Sequence, residues 1–222
     1  MKNLAPGVWR LKELPAPTIN IYLAEDVLID AGRRWDRRRV FAELEGREIS
    51  LMALTHAHPD HQGVAKDVCE AFGVPLACHA DDVEAMEGRR PIQEAHPDNV
   101  VNRVFDRLWT GPPHKVDRVL SEGDEVAGFR VVHAPGHARG EVIYFRDSDG
   151  VAICGDVIRN MSYATALPGI KEPPRIFTYD PAENRRSIRK LAALEPSLIL
   201  PGHGPPVADM ANFEKFVAAL PD

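Results

Sequence analysis

Between residues 54 and 63 the chain reads LTHAHPDHQG, which places His56, His58, Asp60 and His61 within six residues. The stretch leading into it, residues 49–54 (ISLMAL), is apolar but for Ser50 and reads as a buried strand. The stretch after it, residues 63–72 (GVAKDVCEAF), has helical spacing and ends at Gly73, a suitable helix-terminating residue. Imidazoles and a carboxylate crowded at the end of a buried strand must find hydrogen-bond partners, or a cation that offsets their desolvation. The fold therefore has to open a polar cleft at a strand-to-helix turn.

Other segments repeat this strand-then-helix pattern. Residues 18–23 (TINIYL) and 27–30 (VLID) read as a hairpin of strands, followed by helical spacing over 36–44. Further short strands are expected at 74–78, 126–134, 141–145, 151–154 and 197–200, with helices at about 181–194 and 210–220. Residues 82 to about 115 break the alternation with charges and prolines, and read as a helical insertion carrying Phe105 and Trp109. No Pro/Gly/Ser-rich linker divides the chain, so residues 1–222 are expected to form one α+β domain of two packed sheets covered by helices.

Composition narrows the function. With 222 residues, 44% of them hydrophobic, the chain can bury one substantial core. A net charge of -6 argues against a nucleic-acid partner, which needs an extended basic surface. The two basic runs, 33–39 (RRWDRRR) and 185–190 (RRSIRK), fall on predicted helices and are expected to be solvated faces. There is no apolar run long enough to span a membrane and no secretory h-region at the start, so the expected location is cytoplasmic and no membrane partner is expected. Cys69, Cys78 and Cys154 share no metal-motif spacing and read as reduced thiols. Oligomeric state carries no sequence signal.

Histidine and carboxylate donors suit zinc, with iron or manganese also compatible, and the lack of thiolates weighs against a purely structural zinc. In the extended loop His56 and His58 can point to one side, while Asp60 and His61, at the turn toward the helix, can face a second ion. His137, Asp156 and His203 each follow a predicted strand and adjoin a glycine, where the backbone can turn and project a side chain into a cleft. Outside these, His79 and His133 read as structural, and His96 and His114 as insertion residues at the surface.

On these motifs the chain resembles the metallo-β-lactamase superfamily over nearly its whole length. The family's H-x-H-x-D-H signature is matched by His56, His58, Asp60 and His61; the later motifs are matched by APGHARGE at 134–141, CGDV at 154–157 and LPGHG at 200–204. The resemblance implies a four-layer αββα sandwich. It also implies two divalent metal ions, zinc first among the candidates: His56, His58 and His137 on one, Asp60, His61 and His203 on the other, and Asp156 bridging. Asp30 matches a further acidic position and reads as a carboxylate that orients a neighbouring group, and Thr55 as a hydrogen-bonding residue or a simple strand end.

The activity implied is hydrolysis of a small thioester, lactone or ester by a hydroxide bridging two metals, with Asp60 also orienting the water and moving its proton. Asp156 and the lack of a signal peptide turn the expectation away from antibiotic hydrolysis. The chain ends soon after His203, without the basic helical extension of glyoxalase II-like thioesterases, so glutathione is not expected as the carrier. The second motif reads Gly136-His137-Ala138 where the family commonly has threonine third, which removes a hydroxyl near the metals. Arg139 reads as a surface salt bridge or an anion contact, Phe105 and Trp109 as a cleft wall or as anchors of the insertion, and Tyr163 and Tyr179 as candidates to meet a substrate carbonyl. The alternatives are a mononuclear iron oxygenase of the persulfide-dioxygenase type, a phosphodiesterase or nuclease, and a binding domain without catalysis.

Overall fold

Residues 1–12, 19–91 and 97–221 are described by the computed structural model. Seven strands form the first sheet, in chain order: β1 (Lys2–Ala5), β2 (Val8–Arg10), β3 (Tyr22–Ala24), β4 (Val27–Ile29), β5 (Leu51–Ala53), β6 (Leu76–His79) and β7 (Arg118–Leu120). Pairing is antiparallel from β1 to β4 and parallel from β4 to β7. Parallel neighbours need crossovers, and helices supply them. They are α1 (Arg37–Leu44) before β5, α2 (Pro59–Gln62) and α3 (Ala65–Phe72) before β6, and α4 (Val83–Met86) and α5 (Val100–Trp109) before β7.

The second sheet holds β8 (Glu125–Val126), β9 (Phe129–His133), β10 (Val142–Arg146), β11 (Val151–Gly155) and β12 (Leu198–Pro201), in the spatial order β12-β11-β10-β9-β8. Its one parallel pair is β11 with β12, joined through α6 (Pro181–Ala193), and α7 (Met210–Ala218) follows.

Period-two alternation along the strands sorts side chains into three cores. Tyr22, Ile29 and Ala53 face Phe129, Val131, Tyr144 and Ile153 between the sheets. Leu28 and Met52 turn to the other face, against Val40, Leu44 and Val68 of the covering helices. On the far side Ile143 and Ala152 pack on Ile188, Leu191 and Phe213. The layers are thus helix, sheet, sheet, helix.

Several elements differ from the sequence expectation. The strand expected at 126–134 is split into β8 and β9 by a turn at Ala127 and Gly128, both with positive φ (51° and 75°). The β1–β2 hairpin and β7 have no counterpart in the reading, because their runs are too short to show periodicity. The helix expected at 63–72 starts at Ala65, after the separate turn of α2. Thr18, in the first expected strand, and His96 lie outside the described residues. All three cysteines are buried and unbonded, and burial pushes the Cys69 thiol up to about 12. No helix among the described residues is long and apolar enough to cross a membrane.

This topology brings the C-terminal ends of β4, β5, β11 and β12 to one rim, together with the β9–β10 loop. Open sheets with parallel strands gather their functional loops at such ends.

Candidate metal centre

All seven side chains singled out in the sequence converge on this rim. His56, His58, Asp60 and His61 leave the end of β5, His137 comes from the β9–β10 loop, and Asp156 and His203 follow β11 and β12. Three overlapping groups each have donor atoms within 4.8 Å of one another: His56, His58 and His137; His56, His61 and Asp156; and Asp60, His61 and His203. Asp156 lies between the sets: its Oδ2 is 3.4 Å from His137 Nε2 and 3.1 Å from His203 Nε2, and its Oδ1 is 3.6 Å from His61 Nε2. Asp60 Oδ2 is 3.4 Å from His203 Nε2.

The hydrogen bonds around the rings fix which nitrogen faces the centre. His61 Nδ1 donates to Asp30 Oδ2 at 2.9 Å. The Thr55 hydroxyl donates to Asp30 Oδ2 at 2.8 Å, which leaves its oxygen to accept from His56 Nδ1 at 3.1 Å. The Thr178 hydroxyl donates to the Pro174 carbonyl and accepts from His137 Nδ1 at 3.3 Å. Each of these imidazoles therefore keeps a proton on Nδ1 and turns its Nε2 toward the centre, the atom from which a cation would displace any second proton.

Those three Nε2 atoms, and Asp156 Oδ1, are buried without a hydrogen-bond partner. Buried polar atoms are normally satisfied, and closely grouped nitrogen and carboxylate donors left without partners are what divalent cations require. The donor set fits the metals that the sequence resemblance implies.

Electrostatics agrees with a site of mixed charge. Burial, then the neighbouring histidines, hold His56 well below its ordinary range. Burial likewise takes His137 down to about 4, with Asp156 opposing. For His61 burial pulls down, yet Asp30, Asp60 and Asp156 together carry it up to about 9. Asp60 and Asp156 stay below the usual carboxylate range in spite of burial, because cationic imidazoles surround them.

Two glycines make room for this density. A Cβ on Gly202 would lie 2.3 Å from Asp156 Oδ1, and one on Gly155 would lie 2.6 Å from Glu141 Oε1. Glu141 is a residue that the sequence reading passed over. Its Oε1 accepts the Asp156 amide at 2.6 Å and lies 3.6 Å from His56 Nδ1. Asp82 is another: its carboxylate accepts the Ala57 amide at 2.9 Å, between two of the histidines, and burial pushes it up to about 7. The signal for Glu141 was a charge set directly before the apolar run of β10; nothing local marked Asp82 or Thr178.

A cleft of about 350 Å³ opens above the centre, with His58, Asp60, His137, Asp156 and His203 at its floor. Its wall is aromatic. Phe105 and Trp109 stack with centroids 4.0 Å apart, and Phe177 approaches Phe105 at 5.9 Å. Tyr163 also borders the cleft, its ring edge-on to His203 at 5.3 Å. Asn99 and Asn102 tie α5 to the opposite segment by donating to the Ile176 carbonyl at 3.0 and 2.7 Å.

The other candidates lie apart from the floor. Tyr179 is paired with Arg139, which donates to its hydroxyl and stacks over its ring. His79 and His133 stack in parallel at 3.9 Å beside Asp81, and the three bring donor atoms within 4.8 Å of one another away from the cleft floor. His114 is held through its amide to the Met86 carbonyl. Of the basic runs, Arg34, Arg37 and Arg38 are exposed as expected, but Arg33 turns to the cleft, bonded to Asp36 and set over the Trp35 and Trp109 rings. That outcome differs from the solvated face read for 33–39, because Arg33 precedes the helix and lies on the loop leaving β4.

The model of the metallo-beta-lactamase superfamily matches residues 16–203. The Bacillus subtilis (strain 168) protein named probable metallo-hydrolase YflN is 31% identical, over 87% of this chain and 80% of that one. The hydroxyacylglutathione hydrolase of Acidiphilium cryptum (strain JF-5) is 28% identical over 72% of this chain and 53% of its own length. The solved structure of TTHA1623 in a di-iron-bound form has a TM-score of 0.68 at 28% identity, covering 90% of this chain and 94% of that one.

Proposed function

This chain belongs to the metallo-beta-lactamase superfamily as a metal-dependent hydrolase, and from that premise we propose that it holds two divalent cations and cleaves a small carbonyl substrate, a thioester, lactone or ester. The observation that carries the reading is the set of buried, unpartnered Nε2 atoms of His56, His61 and His137 and of Asp156 Oδ1, spread over overlapping groups of donors. On this reading His56, His58 and His137 hold one cation, Asp60, His61 and His203 the other, and Asp156 both. When bound, such a pair supplies Lewis acidity and lowers the pKa of water toward neutrality.

The chain's own residues supply the rest. Asp60, at the cleft floor, orients the attacking water and takes its proton. It returns that proton to the departing sulfur or oxygen as the carbonyl bond breaks. Asp30, Thr55 and Thr178 keep the imidazoles in the required tautomer. Phe105, Trp109 and Phe177 shed water from an apolar acyl or leaving group, so the insertion at 82–115 sets substrate choice within a single domain spanning 1–222.

The enclosed aromatic wall and the net charge of -6 favour this over phosphodiester cleavage in a nucleic acid. Thioester cleavage is further supported by the likeness to the hydroxyacylglutathione hydrolase, about half of whose length this chain spans. Zinc is the proposed metal. Iron is the second reading, favoured by the di-iron form of TTHA1623.

Elemental analysis of the purified protein, followed by a thioester, lactone and ester panel before and after chelation, tests the proposal. Two metal equivalents and turnover that chelation removes are expected. A fully metal-loaded protein inert on the whole panel, or one holding a single iron and consuming oxygen with a persulfide, would sink it.

A further inference from the structure

Helix α5 faces the wrong way for a helix in water. Its sequence VVNRVFDRLW buries Asn102 and Asp106 and leaves Val100, Val101, Val104 and Leu108 exposed at 73, 43, 47 and 42%. Positions 100, 104 and 108 recur every four residues and 101 lies beside them, so they form one continuous stripe. A surface helix normally turns such a stripe to the core. Here the inward face is taken by the carboxamide of Asn102, which donates to the carbonyls of Pro97 and Ile176 at 2.7 Å each.

Two further exposed apolar side chains flank the helix on its cleft side: Ile176, 50% exposed, is tied to the first turn through its carbonyl, and Trp35, 53% exposed, meets Trp109 edge-on at 6.2 Å. Val100, Val101, Val104 and Leu108 alone make a contiguous apolar strip on the order of the few hundred Å² at which an exposed patch marks an interaction site.

We propose that this face is the two-fold interface of a homodimer, with α5 packed antiparallel on α5 of a second copy. A two-fold contact must be self-complementary: if residue i meets j, then j meets i. The charges bordering the stripe satisfy this. Asp98, just before the helix, has a side chain 63% exposed while paired with Arg103, and Arg107 is exposed in the last turn. Antiparallel helices bring the two ends together twice, Arg107 of each copy beside Asp98 of the other, whereas a parallel pair would oppose Arg107 to Arg107. The valines at 100, 101 and 104 are short enough for interaxial distances of about 8–10 Å, and antiparallel macrodipoles attract. A stripe bordered by both signs of charge fits a second copy better than an anionic lipid surface, which calls for a basic rim. Because Asn102, Phe105 and Asp106 line the cleft from the same helix, pairing would also hold the cleft wall in place.

Sedimentation velocity on the metal-loaded protein through the micromolar range tests this. We expect twice the monomer mass, a Val104→Glu variant that sediments as a monomer with an unchanged far-UV spectrum, and an Arg107→Glu variant whose dimer dissociates at least about tenfold more readily, most clearly at low salt. Val104 is exposed, so its substitution leaves the core intact. A monomer at every concentration, a dimer indifferent to Val104→Glu, or a monomer that instead uses this face to bind phosphatidylcholine vesicles would each overturn the proposal.

Discussion

Asp30 accepts the Nδ1 proton of His61 at 2.9 Å from a backbone held at φ 62°, and the same carboxylate takes the amide and hydroxyl of Thr55. One carboxylate thereby sets the tautomer of His61 directly and that of His56 through Thr55. Partners of this kind are worth about 10–100-fold in metal affinity. Asp30→Asn should weaken metal binding by that order, measured by competition with a chromogenic chelator, while far-UV dichroism stays unchanged. An affinity equal to that of the parent protein would show that Asp30 serves the turn alone.

Gly202 stands where a methyl group would meet Asp156 Oδ1 at 2.3 Å and His61 Cε1 at 2.8 Å. Gly202→Ala must displace one of them. A stability loss of about 2 kcal/mol or more is expected in urea denaturation, together with less than the parent's metal content by elemental analysis.

Trp109 and Phe105 stack face to face along the cleft and offer their area to whatever apolar group the substrate carries. Trp109→Ala should raise KM for a long-chain acyl thioester about tenfold while changing that for an acetyl thioester little. Equal losses on both substrates would mean that the stack only anchors α5.

Asp82 gives the protein a pH dependence of known sign. Burial raises its carboxyl from 3.8 to about 7. Across that window the native state holds a proton that the unfolded state has released, so this contribution to stability is complete below the unfolded pKa and is lost as pH rises through about 7. In chelator-treated protein, thermal midpoints of Asp82→Asn should therefore fall less than those of the parent from pH 5 to 8. Parallel curves would place the proton elsewhere.

How much of this was legible in the sequence depends on the range over which each signal acts. His56, His58, Asp60 and His61 declare themselves because they crowd one turn beside an apolar strand, and the two-sheet, helix-covered arrangement follows from strands that alternate with helices. Glu141, Asp82 and Thr178 do not, since each gains its role from a partner far along the chain: Asp156, Ala57 and His137 respectively. Arg33 was misread because a run of arginines looks uniform until the backbone turns one of them inward. The stripe on α5 was not read at all within the insertion at 82–115, because which way a helix face turns is a property of the packed molecule.

The two sheets contribute to the centre unequally and in order. His56, His58, Asp60 and His61 arrive with the first sheet, whereas His137, Asp156 and His203 arrive with the second. Neither half of the chain can assemble the constellation alone, so filling it works as a clasp across the layers. Metal uptake during refolding would then time the moment at which the halves dock, and loss of metal would loosen the seam between the sheets before either sheet came apart.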